Sequence, residues 1–186
     1  MALMRDLVAA YEEPQRSYHT TQHLNECIAQ LEPYLELAVR PAEVETALWF
    51  HDAVYDVRGK DNEARSAAWA ETELRAAAVE SDAVGRVKEL IMATCHAALP
   101  QGKDQQLLVD VDLSILGAPR PRFVEYETQV RTEYQWVPGW LFRRKRRAVL
   151  KEFVARSAIY STVQIREKLE SQARANLEYS LQLLRG

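Results

Sequence analysis

The chain has 186 residues, 47% hydrophobic and 27% charged, enough for one core and too long for a disulfide-stapled miniature. With 24 Lys+Arg against 27 Asp+Glu, a net charge of -3, the averaged field offers no general attraction to nucleic acid or an anionic membrane. Cys27 and Cys95 are the two cysteines and form no CxxC spacing, which excludes a disulfide framework and a zinc ribbon and fits free thiols in a reducing, cytoplasmic setting.

In chain order, MALMRDLVAAYEE is interrupted by Arg5 and Asp6 and lacks the apolar core of a signal segment. No run of 18 apolar residues follows, so a soluble chain without membrane contact is expected. Six glycines and seven prolines are few, which favours long helices over the many turns of a β-sandwich. A first helix is predicted over roughly 21–39, with Leu24, Ile28, Leu31 and Leu35 as one apolar stripe. Pro41 suits the first position of a second helix, in which Val44, Ala47, Leu48 and His51 share the inward face. Residues 61–79 have high helix propensity, with Asp61 as N-cap, and 82–96 repeat the inward pattern through Val87, Leu90, Ile91 and Thr94. PQGKDQ reads as a loop; LLVDVDLSILG, a short apolar run, is read as mostly helical. A Tyr/Trp-rich stretch from 121, with VPGW at 137–140, precedes two long closing helices. The predicted architecture is all-α, one helical domain spanning 1–186.

Four histidines carry the chemical signal: His19 and His23 in RSYHTTQHL, His51 in WFHDAVYD and His96 in ATCHAA. Asp52 follows His51 directly, and Asp110 and Asp112 sit in the apolar frame VDVDLSIL, where a carboxylate needs a partner. Imidazole nitrogen with carboxylate oxygen suits a borderline divalent ion. Each signal alone is weak, since a histidine on an apolar face is usually a hydrogen-bonded core residue. The order H…HD…D within helical, apolar segments is much harder to obtain by accident.

These segments resemble the HD superfamily of metal-dependent phosphohydrolases, all-α proteins named for a His…His-Asp…Asp metal set. RSYHTTQHL resembles the segment with the family's first histidine, WFHDAVYD its HD doublet and LLVDVDLSILG its distal aspartate. DNEARSA, TCH, RSAIY and ARANLE resemble segments of a small bacterial branch of predicted phosphohydrolases, so that the likeness covers roughly 11–180. It implies a helical bundle with the site between helices, and His23, His51, Asp52 and Asp110 as ligands of Mn²⁺, Fe²⁺, Co²⁺, Ni²⁺, Zn²⁺ or Mg²⁺. His19 and Asp112 remain open as neighbours of those positions. The HDxxED form of the family's alarmone hydrolases is absent, because AVYD follows Asp52.

The expected chemistry is attack of a metal-activated water on a phosphomonoester or nucleotide. Asp52, beside a ligand, can also steer the water; His96 is the first candidate to stabilise phosphoryl charge, followed by Arg16 and Lys60. His19 is a further substrate contact, and Glu63 a candidate acid, base or substrate contact. The alternative is a metal-containing nucleotide-binding or sensing module with little turnover. The expected partner is thus a small phosphorylated molecule; association of like copies stays open. RRKRR at 143–147 reads as a solvated helix face, with docking of nucleotide phosphates or RNA beside Trp136, Trp140 and Phe142 as the other option.

Overall fold

The computed structural model describes residues 2–96 and 98–184, and every regular element among them is helical. Among the described residues no helix is long and apolar enough to cross a membrane. By its internal contacts the chain divides into two compact units, Met1–Asp112 and Leu113–Gly186.

The first unit holds six α-helices: α1 (Ala2–Tyr11), α2 (Thr21–Leu31), α3 (Pro41–Phe50), α4 (Asn62–Ala76), α5 (Ser81–Ala93) and α6 (Gly102–Asp112). Helix α1 lies where the sequence reading assigns no element. Helix α2 starts where the Thr20 hydroxyl accepts the Gln22 N–H at 3.3 Å, an N-cap bond. It buries His23, Leu24, Cys27 and Leu31. The continuous helix expected to residue 39 stops at Leu31, because Pro33 has no N–H for the next helical bond, and Glu32–Leu37 tightens into a 3-10 segment. Helix α3 opens at Pro41 as expected, and the Asp104 carboxylate of α6 accepts the N–H groups of Val39 and Arg40 at 2.6 and 3.2 Å. Arg86 of α5 grips Glu43 of α3 with two bonds of 2.8 and 2.6 Å. The run read as mostly helical, 107–117, is helix through Asp112 and 3-10 over Leu113–Gly117.

Asp61 occupies the N-cap position of α4 but makes no side-chain cap bond. Its neighbour Asn62 reaches back instead, accepting from Asp56 N–H at 3.0 Å and donating to the Asp56 carbonyl at 2.9 Å. The loop from the HD pair to α4 is thereby closed on itself.

The second unit contains α7 (Arg120–Glu133), α8 (Gly139–Ala155) and α9 (Val163–Leu183) around buried Phe123, Leu150, Tyr160, Ile165 and Leu177. Asn176 of α9 donates to the carbonyls of Leu116 and Ala118, both at 2.8 Å, and Tyr160 Oη donates to the Leu113 carbonyl at 3.1 Å. A Cβ on Gly117 would stand 2.7 Å from Leu169 Cβ and 3.0 Å from the Leu169 carbonyl oxygen. Neither atom can swing aside, so Gly117→Ala is expected to destabilise the protein by about 1–3 kcal/mol, read as a lower urea midpoint at unchanged slope.

Candidate metal centre

His23 lies in the first turn of α2, on the buried face with Leu24, Cys27 and Leu31. His51 is the residue after α3 ends, and Asp52 follows in the turn. Two consecutive residues of an unbroken helix diverge by about 100°; ending the helix at Phe50 lets both side chains face one point. The turn is braced from behind. Arg16, buried with its side chain fully shielded, donates to the carbonyls of Asp52 at 2.6 Å and Ala53 at 3.0 Å and to that of His19 at 3.2 Å. Tyr11 Oη donates to the Trp49 carbonyl at 3.2 Å and accepts the Asp52 N–H at 3.3 Å.

Asp112 closes the set from the last residue of α6. His23 Nε2 lies 3.2 Å from His51 Nε2, 3.5 Å from Asp52 Oδ2 and 3.3 Å from Asp112 Oδ1. His51 Nε2 lies 3.2 Å from Asp52 Oδ2 and 3.7 Å from Asp112 Oδ1. Donors at the corners of a tetrahedral or octahedral shell, each about 2.0–2.3 Å from the ion, stand about 2.8–3.8 Å apart, so these residues fit a single divalent ion. His51 Nδ1 bonds the Leu48 carbonyl at 2.7 Å, which in the neutral ring leaves the Nε2 lone pair facing the centre. The Cys27 thiol packs 3.6 Å from His23 Nδ1, and a ligand atom from each of His23, Cys27 and Asp112 also falls within 4.8 Å of the others.

Of the two aspartates in the run, Asp112 is the one whose carboxylate stands beside both histidines. Residues i and i+2 of an α-helix point about 200° apart, and the register of α6 turns Asp112 to the two histidines while Asp110 is fully buried elsewhere on the helix. His96 does reach the cluster, with Nε2 3.0 Å from Asp112 Oδ2. It lies beyond the end of α5 with φ 54°, in the left-handed region that costs a non-glycine residue roughly 1–2 kcal/mol. His19 precedes α2 and stacks on Tyr55 at 3.9 Å, with its ring 6.0 Å from that of His23. Glu63, half-buried in the first turn of α4, bonds the Cys95 thiol beside His96. The donors of Arg16, a candidate phosphate contact in the sequence, go to the carbonyls of His19, Asp52 and Ala53 and to the Glu13 carboxylate. Lys60 is exposed on the loop before α4. The sequence reading missed Tyr11, whose role is to hold the Asp52 backbone, a task that leaves no spacing pattern.

Burial pulls His23 and His51 toward neutrality, but Cys27, Tyr18 and the two carboxylates around the first, and Asp52, Tyr11 and Asp112 around the second, hold both well above the usual histidine value. Burial likewise favours protonated Asp52 and Asp112, and the facing histidines override it, holding both well below the usual carboxylate range. Burial pushes the Tyr11 phenol up to about 12, and burial together with the Glu63 carboxylate pushes Cys95 up to about 11.

Comparisons of the chain with protein-family models, with curated proteins and with solved structures find no match.

The directions of these shifts set a pH test. In metal-free protein the raised histidines stabilise the fold fully below their unfolded pKa and lose that contribution as pH rises through the folded one. The lowered aspartates contribute above their unfolded pKa and lose it as pH falls through the folded one. A bound ion needs neutral imidazoles and releases their protons. The gain in melting temperature from added Mn²⁺ or Zn²⁺ is therefore expected to grow between about pH 6 and about pH 8, while chelated protein loses stability over that interval. A metal-induced gain independent of pH in thermal melts would contradict the assignment.

Proposed function

We propose that this chain is a divalent-metal phosphohydrolase of the HD type, a helical bundle acting on a phosphomonoester or nucleotide. The observation that carries this reading is the convergence of three separate stretches of chain, which puts His23 and His51 3.2 Å apart and each of them 3.2–3.7 Å from both Asp52 and Asp112. These four would hold the ion. When bound, it supplies Lewis acidity toward a water and a phosphoryl oxygen.

The other residues act on orientation and charge. Arg16 and Tyr11 fix the backbone of the HD turn, so that Asp52 presents its carboxylate without sampling other rotations. His96 holds Asp112 by its Nε2 and has about a quarter of its side chain exposed; it is the proposed group to share that nitrogen's proton with an incoming phosphoryl oxygen. Glu63 braces the segment bearing His96 through Cys95, a positioning role in place of proton transfer. His19, fixed on Tyr55, and exposed Lys60 are the proposed contacts to the rest of the substrate, a small phosphorylated molecule.

The test is metal analysis of protein purified without chelator, followed by phosphatase assays on p-nitrophenyl phosphate and nucleoside monophosphates with Mn²⁺, Co²⁺, Ni²⁺ and Mg²⁺. His51→Ala, Asp52→Ala and Asp112→Asn are expected to abolish turnover and lower metal content together, with helical circular dichroism retained. Metal held with no turnover on any phosphate ester would identify a sensing or binding module instead, and full activity in any of the three variants would remove the mechanism.

His96→Ala is expected to keep its metal and lose turnover by about 10²–10³, the cost of one transition-state contact. Loss of metal as well would make His96 a ligand.

A further inference from the structure

The whole-chain charge conceals a split. Residues 113–186 carry 14 Lys+Arg against 7 Asp+Glu, net +7, whereas residues 1–112 carry 10 against 20, net -10. Within the second unit the cations are concentrated on α8, in the run Arg143–Arg147 and at Lys151. One of them is spent internally: Arg146 bonds Tyr126 Oη at 2.7 Å and pairs with Glu127 at 2.5 Å. The rest of the run is not placed by its neighbours in sequence but by the turn of the helix. Trp140, Arg144, Arg147 and Lys151 are spaced i, i+4, i+7 and i+11, which aligns them within about 60° on one face. Buried Leu150, at i+10 from Trp140, lies about 90° round the helix from the middle of that row. Trp140 is 62% exposed, Trp136 just before the helix is 48% exposed, and Arg143, Arg144, Lys145 and Lys151 are exposed. The Nε of Arg147 has no acceptor among the described residues. Beside the stripe a groove of about 360 Å³ is lined by Phe142, Arg143, Arg131 and Tyr179, with the Arg131 guanidinium 4.8 Å from the Phe142 ring centroid.

We infer that the α8 face of the C-terminal unit, Trp136 and Trp140 with Arg144, Arg147 and Lys151, binds single-stranded RNA. A row of cations tracks a phosphate backbone, and exposed flat rings take unstacked bases; this pairing of features is how unpaired strands are held. RNA is the polynucleotide whose single-stranded loops and ends are its standing state. An anionic membrane fits less well. An interfacial helix enters lipid by an apolar face, and on α8 that face is turned inward at Leu150, leaving two indoles on a cationic surface. The acidic half of a second copy offers opposite charge but nothing that calls for two exposed indoles. The inference rests on the C-terminal unit alone and is independent of the metal centre.

The experiment uses the full chain and a fluorescein-labelled 20-mer oligouridine, read by anisotropy at several salt concentrations. The unmodified protein is expected to bind at about 50 mM salt with a negative salt slope. The charge-reversed variant R144E/R147E/K151E is expected to weaken binding at least tenfold and to flatten that slope by about 2, the share of three phosphate contacts on a single strand. W136A and W140A are each expected to weaken binding about fivefold or more while leaving the salt slope unchanged. Circular dichroism and melting temperature exclude a folding defect, and because Arg147 is half-buried with its Nε shielded, R144E/K151E, at two exposed positions, is measured beside the triple variant and is expected to match the parent's fold while weakening binding. Vesicles of phosphatidylcholine with phosphatidylserine form a parallel arm, and sedimentation without RNA another. The proposal is overturned by absence of oligouridine binding at low salt or by binding that both sets of variants retain. Capture by anionic vesicles without RNA binding would reassign the face to lipid, and salt-sensitive self-association abolished by the charge reversal would reassign it to a second copy.

Discussion

Two buried imidazoles 3.2 Å apart, each 3.2–3.7 Å from the half-buried carboxylates of Asp52 and Asp112, impose a charge constraint on the first unit. With neutral histidines the group carries two negative charges and facing lone pairs, an arrangement that a dry interior strongly disfavours. Protons on the imidazoles relieve it, as the raised histidine and lowered aspartate pKa values express; a divalent ion relieves it with the imidazoles neutral. The surroundings are built for either state, because the bracing bonds come from groups that do not change charge. Arg16 is permanently cationic and Tyr11 stays protonated, and both act on backbone atoms of residues 49–53. Protons and an ion can thus exchange without rebuilding the turn.

The order of the ligands along the chain was legible, because His and Asp are the residue types that such a centre needs and their apolar frames made them conspicuous. The register of the last one was not. VDVD places both aspartates on one face if the run is extended and about 200° apart if it is helical, and the choice between Asp110 and Asp112 further depends on how α6 is rotated against α2 and α3. That rotation is set by contacts such as the Asp104 carboxylate on the start of α3, which pair residues 64 and 65 positions apart. Arg16 illustrates a different blindness. A buried arginine near a proposed phosphate site invites the reading of an anion contact, yet apart from Glu13 its acceptors here are main-chain carbonyls, which carry no residue-type signal at all.

The same physics explains the C-terminal segments RSAIY and ARANLE without recourse to chemistry. Arg174 bonds the carbonyls of Val154, Arg156 and Ser157 at the end of α8, while Glu170 accepts the N–H groups of Ile159 and Tyr160. Asn176 and Tyr160 satisfy carbonyls around the tight Leu113–Gly117 segment. Backbone groups at helix ends have no helical partner and must find one. Polar residues at these positions are spent on that requirement, beside the buried Ile165, Ala173 and Leu177 of α9.

Averaging was the weak step in reading charge from composition. A net charge near zero excludes a polyanion partner only if the charges are evenly spread, because at physiological salt a fixed charge is felt over about 8 Å and a ligand meets the local field. Here the excess of acid lies in residues 1–112, where it includes the buried Asp110 and the half-buried Asp52 and Asp112, and the excess of base lies in residues 113–186. Acid drawn into a cluster with histidines contributes little repulsion at a surface, whereas the exposed Arg143, Arg144, Lys145 and Lys151 of α8 contribute their full charge there. The number that matters for recognition is therefore the exposed charge per face, and on that measure the α8 face is cationic although the chain is not.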